Sequence, residues 1–514
     1  MSGVERIDGE IGRIALLGVA ATRRIEGDAL AALPPFTLMA RAGEAVARLA
    51  IALAPHARRI VVFAGPGNNG GDGIEAATRL FCDWGKPTSV LRVGVATTLP
   101  SDASQALARA SEAGVDIRDF DADEAIGGDR PDLVIDALLG IGASRPPEGA
   151  IAAAIGRIAE LAALGARVLA IDVPSGLDVD RGQALGTACV SADDTLTLIA
   201  PKPGLFTGSG RDHAGRTWCA RLGVDAPDGN ADAWLVGRSD PSCAVSARRH
   251  ASHKGSFGDV AVVGGAPGMA GAAWLAARAA HAAGAGRVFV DLVGERAGMN
   301  EPSTEIDPAR PELMFRRAWA EGDAAVLAAT TVVCGCGGGD AVRATLPKLL
   351  SVVARLVLDA DALNALAADP SLLALAVARE RRGHATILTP HPLEAARLLG
   401  GTAASVQADR LGAARELAAR LRSVIVLKGS GTVICGADGK TRVNATGNAS
   451  LASAGTGDVL AGWIGGRWAS LTASAFDVAT RAVIEHGAAA EPEWPGALRA
   501  ADLVERLHQR ERGG

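Results

Sequence analysis

Apolar residues recur at helical spacing over residues 40–53, and residues 13–55 as a whole read as helices. The pattern then changes. Residues 60–63 form a short, β-branched run ending in a glycine-rich loop, the signature of a buried strand. Residues 89–93, 133–135, 168–171 and 195–199 repeat it, with a helix predicted over 151–164. A polar stretch at 225–230, followed by Asp240, Pro241 and Ser242, interrupts the alternation and places a domain boundary within 225–245. Strand signals resume at 260–263, 288–292, 331–333, 356–358, 385–388 and 424–427, each followed by a loop and a helical pattern. Strands alternating with helices predict parallel sheets covered on both faces. The expected architecture is two α/β domains, 1–230 and 240–514.

Composition narrows the class. A chain of 514 residues exceeds one ordinary core, and 48% hydrophobic against 21% charged residues excludes disorder. The net charge of -5, without a basic patch, argues against nucleic acid as a partner. Seven scattered cysteines, with no paired CxxC motifs, fit reduced thiols in a cytoplasm. Cys334 and Cys336 flank one glycine without a nearby histidine and read as core rather than zinc ligands. Glu5, Asp8 and Glu10 precede a short apolar run that lacks a cleavage pattern, so no signal peptide is expected. No apolar stretch approaches the roughly 20 residues that span a bilayer, so no membrane partner is expected.

The first predicted strand runs into Gly65-Pro66-Gly67-Asn68-Asn69-Gly70-Gly71-Asp72-Gly73. This contains GxGxxG, but an ordinary dinucleotide fold fits poorly. The next strand ends without the acid that holds a ribose, and the charge of Asp72 would repel a pyrophosphate. Two later strands end on acids: Asp136, before Leu138-Leu139-Gly140-Ile141-Gly142, and Asp172, before Val173-Pro174-Ser175-Gly176. The carboxyl ends of parallel strands form the ligand crevice, so Asn69, Asp136, Asp172 and Ser175 can converge. Their oxygen ligands suit a hard cation.

Residues 65–73, 136–142 and 172–177, with Leu38-Met39-Ala40-Arg41-Ala42-Gly43, resemble the NAD(P)H-hydrate epimerase domain across residues 10–225. The resemblance implies a Rossmann-like α/β/α sandwich. It implies potassium bound by Asn69, Asp136 and Ser175. The hydrated nicotinamide nucleotide would be held by the loop Asn68, Asn69, Gly70, Gly71 and Asp72 and by Gly140, Ile141, Gly142, Ala143, Ser144, Arg145 and Pro146. Asp172 would contact the substrate and serve as its acid–base group. Arg41 stands where an acidic or polar residue is expected, with no consequence foreseen for the site. The chemistry stands on its own terms: the hydrate carries a hydroxyl beside the ring nitrogen, and a carboxylate that accepts and returns a proton accelerates loss of configuration there.

The densest block in the second half is Asn448-Ala449-Ser450-Leu451-Ala452-Ser453-Ala454-Gly455-Thr456-Gly457-Asp458. A Gly-Thr-Gly-Asp turn opening a helix presents backbone N–H groups to an anion and sets the aspartate beside a transferred phosphoryl group. Lys428-Gly429-Ser430-Gly431-Thr432, Thr389-Pro390-His391-Pro392 and Asp359-Ala360-Asp361 each follow a strand, as does the flexible Gly335-Cys336-Gly337-Gly338-Gly339. With His253-Lys254-Gly255-Ser256-Phe257-Gly258 and Met269-Ala270-Gly271-Ala272, these resemble the NAD(P)H-hydrate dehydratase branch of the ribokinase-like fold across residues 245–505. That resemblance implies ADP, with Mg2+, bound by Lys428, Gly429, Ser430, Gly431, Thr432 and Gly457. Ala272, Ala273, Gly339, His391 and Asp458 would line the hydrate site, with Asp458 as the base. Cys336 departs from the family's usual proline, which bears on the rigidity of its loop.

A small-molecule kinase of the vitamin or sugar type, fused to a nucleotide-binding regulatory domain, is the alternative. A non-catalytic nucleotide sensor fits poorly with the presence of both Asp172 and Asp458. The fusion has its own logic, since an epimerase supplies the epimer that a stereospecific dehydratase cannot use. A cytoplasmic homo-oligomer is expected.

Overall fold

The strand Ile60–Ala64 is buried at every position, which is why its sequence IVVFA shows no polar alternation. It sits inside an eight-stranded sheet. In spatial order the strands are Val4–Ile7, Arg216–Ala220, Asp194–Leu198, Arg167–Ile171, Leu133–Ala137, Ile60–Ala64, Thr88–Arg92 and Asp116–Asp119. All neighbours pair in parallel except Val4–Ile7, which runs antiparallel to its neighbour. Alternate residues feed two cores. Val62, Ile135 and Leu169 pack with the helices Val19–Ala32, Thr37–Leu53, Asn68–Cys82 and Ser101–Glu112. Val61, Phe63, Val134 and Val168 pack with the helix Gly149–Ala163.

A second sheet repeats the principle. Nine of its strands run, in spatial order, Met314–Phe315, Arg287–Leu292, Asp259–Gly264, Thr331–Cys334, Arg355–Leu358, Ala385–Leu388, Val424–Leu427, Val433–Cys435 and Thr441–Asn444. The first seven are mutually parallel, and the last two add an antiparallel ribbon. Val260, Val290, Val333 and Val357 face a core shared with the helices Ala270–Ala282, Thr456–Ser470 and Ala475–Ala489. The two α/β layers agree with the sequence expectation.

The computed structural model describes residues 3–94, 99–123, 130–243, 248–294, 306–491 and 496–513. Chain contacts divide the protein into one unit of Met1–Asp8 with Ile14–Trp234 and another of Gly9–Arg13 with Leu235–Gly514. The changeover at Trp234 and Leu235 falls within the interval 225–245, of which 244–245 lie outside the described residues. One expectation fails: residues 13–55 are not all helical, because Arg13–Leu16 is a strand. Four residues are too few to establish a period against the long helical pattern that follows. Among the described residues no single helix is long and apolar enough to cross a membrane.

Candidate functional sites

Three neighbouring strands of the first sheet end on non-glycine residues in the left-handed region: Asp172 (φ 65°), Ile199 (φ 67°) and Leu222 (φ 53°). Such conformations cost energy, most of all for a β-branched residue. All three line one cavity of about 900 Å³ at the carboxyl ends of the strands. Asp172 Oδ1 accepts hydrogen bonds from Lys202 Nζ (2.5 Å) and the Leu198 amide (3.1 Å). Lys202 is buried, and its ammonium also donates to Thr197 Oγ1 (3.1 Å) and the Leu198 carbonyl (2.7 Å). Its three protons are therefore spent. Asp172 Oδ2 has no hydrogen bond among the described residues. Sequence reading passed over Lys202, although a lysine between Pro201 and Pro203 straight after a strand was the available signal.

The expected loop at Asn68, Asn69, Gly70, Gly71 and Asp72 is instead the opening of the helix Asn68–Cys82. Its glycines serve packing. A Cβ on Gly70 would lie 1.9 Å from the Gly65 carbonyl oxygen, and one on Gly71 would meet the Met39 side chain at 2.5 Å. Both are buried behind the cavity, whereas Asn68, Asn69 and Asp72 line it, as does every residue from Gly140 through Ile141, Gly142, Ala143, Ser144 and Arg145 to Pro146. Burial pushes the Asp72 carboxyl well above its ordinary range, helped by the nearby charges of Asp172, Glu26 and Asp102. Burial and Asp172 likewise raise Glu26.

Asp136 and Ser175 lie together, fully buried. Asp136 accepts from Ser175 Oγ (2.6 Å), the Ser175 amide (2.8 Å) and the Leu138 amide (3.2 Å). Burial raises its pKa to about 6 against the pull of these bonds. Among the described residues no cationic side chain pairs with it. The buried Asn69 Nδ2 lacks a hydrogen-bond partner, and the Asn69 side chain packs on Gly140. Arg41 does touch the site indirectly. Its guanidinium donates to the Leu222 carbonyl (2.7 Å), bracing one of the left-handed strand ends.

In the second unit, Lys428 ends the strand Val424–Leu427 and its Nζ bonds Asp359 Oδ1 at 2.7 Å. A Cβ on Gly457 would sit 3.3 Å from the same nitrogen. The Cys336 thiol and the Asp359 and Asp458 carboxylates lie within 4.8 Å of one another. Burial raises Asp458 to about 6; Asp359 adds to this, while the Cys336 hydrogen bond and Lys428 oppose it. Burial and both carboxylates push the Cys336 thiol far up, so it stays protonated and donates to Asp458. The helix Thr456–Ser470 starts after Gly455 (φ 88°) and carries Asp458 in its first turn. His486, buried and shifted down to about 4 by burial, stays neutral and donates from Nε2 to the Thr456 carbonyl (2.9 Å). Neither His486 nor Arg410, which donates to the Leu427 and Lys428 carbonyls (both 3.2 Å), stood out in the sequence.

The other anticipated residues divide. Gly429 (φ 134°) and Gly431 (φ 60°) give the loop after Lys428 its turns, Ser430 is exposed, and Thr432 Oγ1 bonds the Gly429 carbonyl at 3.1 Å. The Gly339 amide donates to Asp361 Oδ2 (2.8 Å). His391 caps the helix Pro392–Leu399, its Nδ1 accepting from the Leu393 (3.1 Å) and Glu394 (3.4 Å) amides. Ala272 is half-buried beside Gly337, while Ala273 is fully buried and packs against Gly265.

Two parallel-sheet units, each with a carboxylate set against a lysine at its strand ends, define a two-site α/β enzyme. Residues 35–204 match the family model for the YjeF-related protein N-terminus, and residues 260–507 match that for NAD(P)H-hydrate dehydratase. The bifunctional NAD(P)H-hydrate repair enzyme Nnr of Escherichia coli K12 is 36% identical over 468 residues, covering 89% of this chain and 85% of that protein. Its counterpart in Coxiella burnetii is 38% identical over 441 residues, covering 84% and 85%. A solved ADP/ATP-dependent NAD(P)H-hydrate dehydratase from Bacillus subtilis, co-crystallised with ATP and Mg2+, is 28% identical, with a TM-score of 0.43, covering 53% of this chain and 95% of its own. The chain belongs to the bifunctional NAD(P)H-hydrate repair enzymes, an epimerase unit joined to a dehydratase unit.

Proposed function

We propose that the first unit interconverts the R and S hydrates of NADH and NADPH at Asp172, and that the second dehydrates the S form with ADP at Asp458. The pairing of a carboxylate with a lysine in each unit, Asp172 with Lys202 and Asp359 with Lys428, carries this reading. In the first site Lys202 holds Asp172 Oδ1, and the cavity-lining Asp172 keeps Oδ2 without a hydrogen bond among the described residues, available as a proton acceptor. A monovalent cation fits beside it. Asp136 is a buried carboxylate with no cationic partner among the described residues, and Ser175 adds a hydroxyl oxygen beside it. Asn69, Asp136 and Ser175 would hold potassium, which would supply positive charge to fix the substrate and the loop at Gly140.

In the second site MgADP enters as substrate. The N–H groups opening the helix Thr456–Ser470, with Lys428, would hold its phosphates. Asp458 takes the hydroxyl proton as that oxygen attacks the terminal phosphorus, and the P–O bond to AMP breaks. The hydrate's own C–O bond, now that of a phosphate ester, then cleaves as phosphate departs, helped by the ring-nitrogen lone pair, and loss of a proton from the adjacent carbon restores the dihydronicotinamide. Hydroxide leaves poorly and phosphate leaves well.

Asp458→Asn tests the second site. It should keep ADP binding by calorimetry and epimerisation, yet lose NADH recovery by about 10²–10⁴-fold, the range of general-base catalysis. Near-normal turnover would remove the base assignment, and turnover with ATP but not ADP would overturn the nucleotide. Rubidium-soaked crystals should show anomalous density at Asp136; full epimerisation without potassium, together with no such density, would refute the cation.

A further inference from the structure

The first cavity holds more carboxylates than its proton acceptor requires. Glu26, Asp72, Asp102 and Asp172 all line it, with Lys202, Arg23 and Arg145 as its cations and Glu148 at its edge. Lys202 is committed to Asp172 through a 2.5 Å bond. Asp102 accepts from the Phe36 amide at 3.2 Å. Asp72 stands apart: it is nearly fully buried, on the rigid second turn of the helix Asn68–Cys82, and among the described residues no hydrogen bond or ion pair engages it. The helix is locked in place by Gly70 and Gly71, each packed too closely for a side chain.

The two aspartates have opposite surroundings. Asp172 has an ammonium and an amide on one oxygen. Asp72 has burial and three neighbouring carboxylates, which favour the neutral acid. A carboxylate held by an ammonium and a buried carboxyl without a hydrogen bond, lining one cavity, are suited to base and acid roles.

Resting on the epimerase reading above, we propose that Asp72 is a second catalytic residue, the acid that protonates the ring nitrogen while Asp172 removes the hydroxyl proton. The steps balance. Asp172 takes the hydroxyl proton, the C–O bond becomes a carbonyl, and the neighbouring C–N bond breaks with its electron pair passing to nitrogen. Asp72 delivers its proton to that nitrogen. The open aldehyde rotates, the nitrogen attacks its other face as Asp72 recovers the proton, and Asp172 returns a proton to the oxygen. Both carboxyls end in their starting states, as a reversible isomerisation requires. Neither oxidant nor co-substrate is needed.

The test compares Asp72→Asn, Asp72→Glu and Asp172→Asn in the full-length protein, following epimer interconversion by chromatography after subtraction of the uncatalysed rate. Asparagine keeps the size and a hydrogen-bond donor but cannot transfer a proton. Asp72→Asn should lower the kcat of epimerisation by about 10²–10⁴-fold with KM little changed, while dehydration of the S hydrate continues. Asp72→Glu should recover part of the rate. The wild-type profile of kcat against pH should fall on its alkaline side, as Asp72 ionises, and Asp72→Asn should lack that limb. A kcat loss below about tenfold, short of the range for acid–base catalysis, or a loss confined to KM, overturns the proposal. So does a wild-type profile without an alkaline limb, a measurement that needs no variant. Asp172→Asn separates the two ideas. If it abolishes epimerisation while Asp72→Asn does not, only the acid assignment falls; if Asp172→Asn epimerises normally, the epimerase reading itself falls.

Discussion

Asp458 has two neighbours that set when it can act. Its pKa of about 6 reflects burial first and the Asp359 charge next, with the Cys336 thiol pulling the other way. A base must be ionised, so dehydration should rise with pH through about 6. Cys336→Ala removes a hydrogen bond to the anion, so the acid limb of kcat/KM for dehydration should move to higher pH; a limb that stays or moves lower would contradict the contact. Lys202 offers a comparable test in the first unit. Removing one member of a buried ion pair leaves the other uncompensated, at a cost of about 3–5 kcal/mol. Lys202→Met should therefore lower the denaturant midpoint strongly, and Lys202→Met with Asp172→Asn should restore much of it. Equal stability of the single and double variants would mean that the pair is not coupled.

At the scale of elements, the helix Asn68–Cys82 shows what a sequence conveys and what it withholds. The block Asn-Asn-Gly-Gly-Asp-Gly announces a site, yet its glycines, which lower helical propensity, point to a loop. Here packing overrides propensity: the helix approaches the Gly65 carbonyl too closely for any Cβ at Gly70. Gly70→Ala should thus destabilise the first unit by about 1–3 kcal/mol, the usual cost of overpacking. Gly71→Ala, which meets the flexible Met39 side chain, should cost less, as thermal unfolding would report. The buried central strands were legible because each is a continuous apolar run. Asp116–Asp119, a largely exposed edge strand of sequence DIRD, had no such run to read. Strand-end acids were legible for the same reason as the strands themselves. Lys202, His486 and Arg410 were not, because their significance lies in what the fold brings to them from distant parts of the chain.

For the whole molecule, the order of units in the chain hides a discontinuity. The second unit begins with Gly9–Arg13 and resumes only at Leu235. Arg13 secures this short segment, its guanidinium forking onto Asp240 at 2.9 and 3.1 Å, where the aspartate side chain is fully buried. Arg13→Ala should strand that carboxylate, at a cost of about 1–3 kcal/mol or more. Heat inactivation of dehydration should then come at a lower temperature, with epimerisation affected less. The two activities therefore cannot be parted by one cut. A chain severed before Leu235 would leave residues 9–13 on the fragment bearing the epimerase, still seated in the dehydratase. The severed pieces should elute together from a sizing column as a naturally split protein, and a fragment starting at 235 should regain heat resistance when a peptide carrying residues 9–13 is added back.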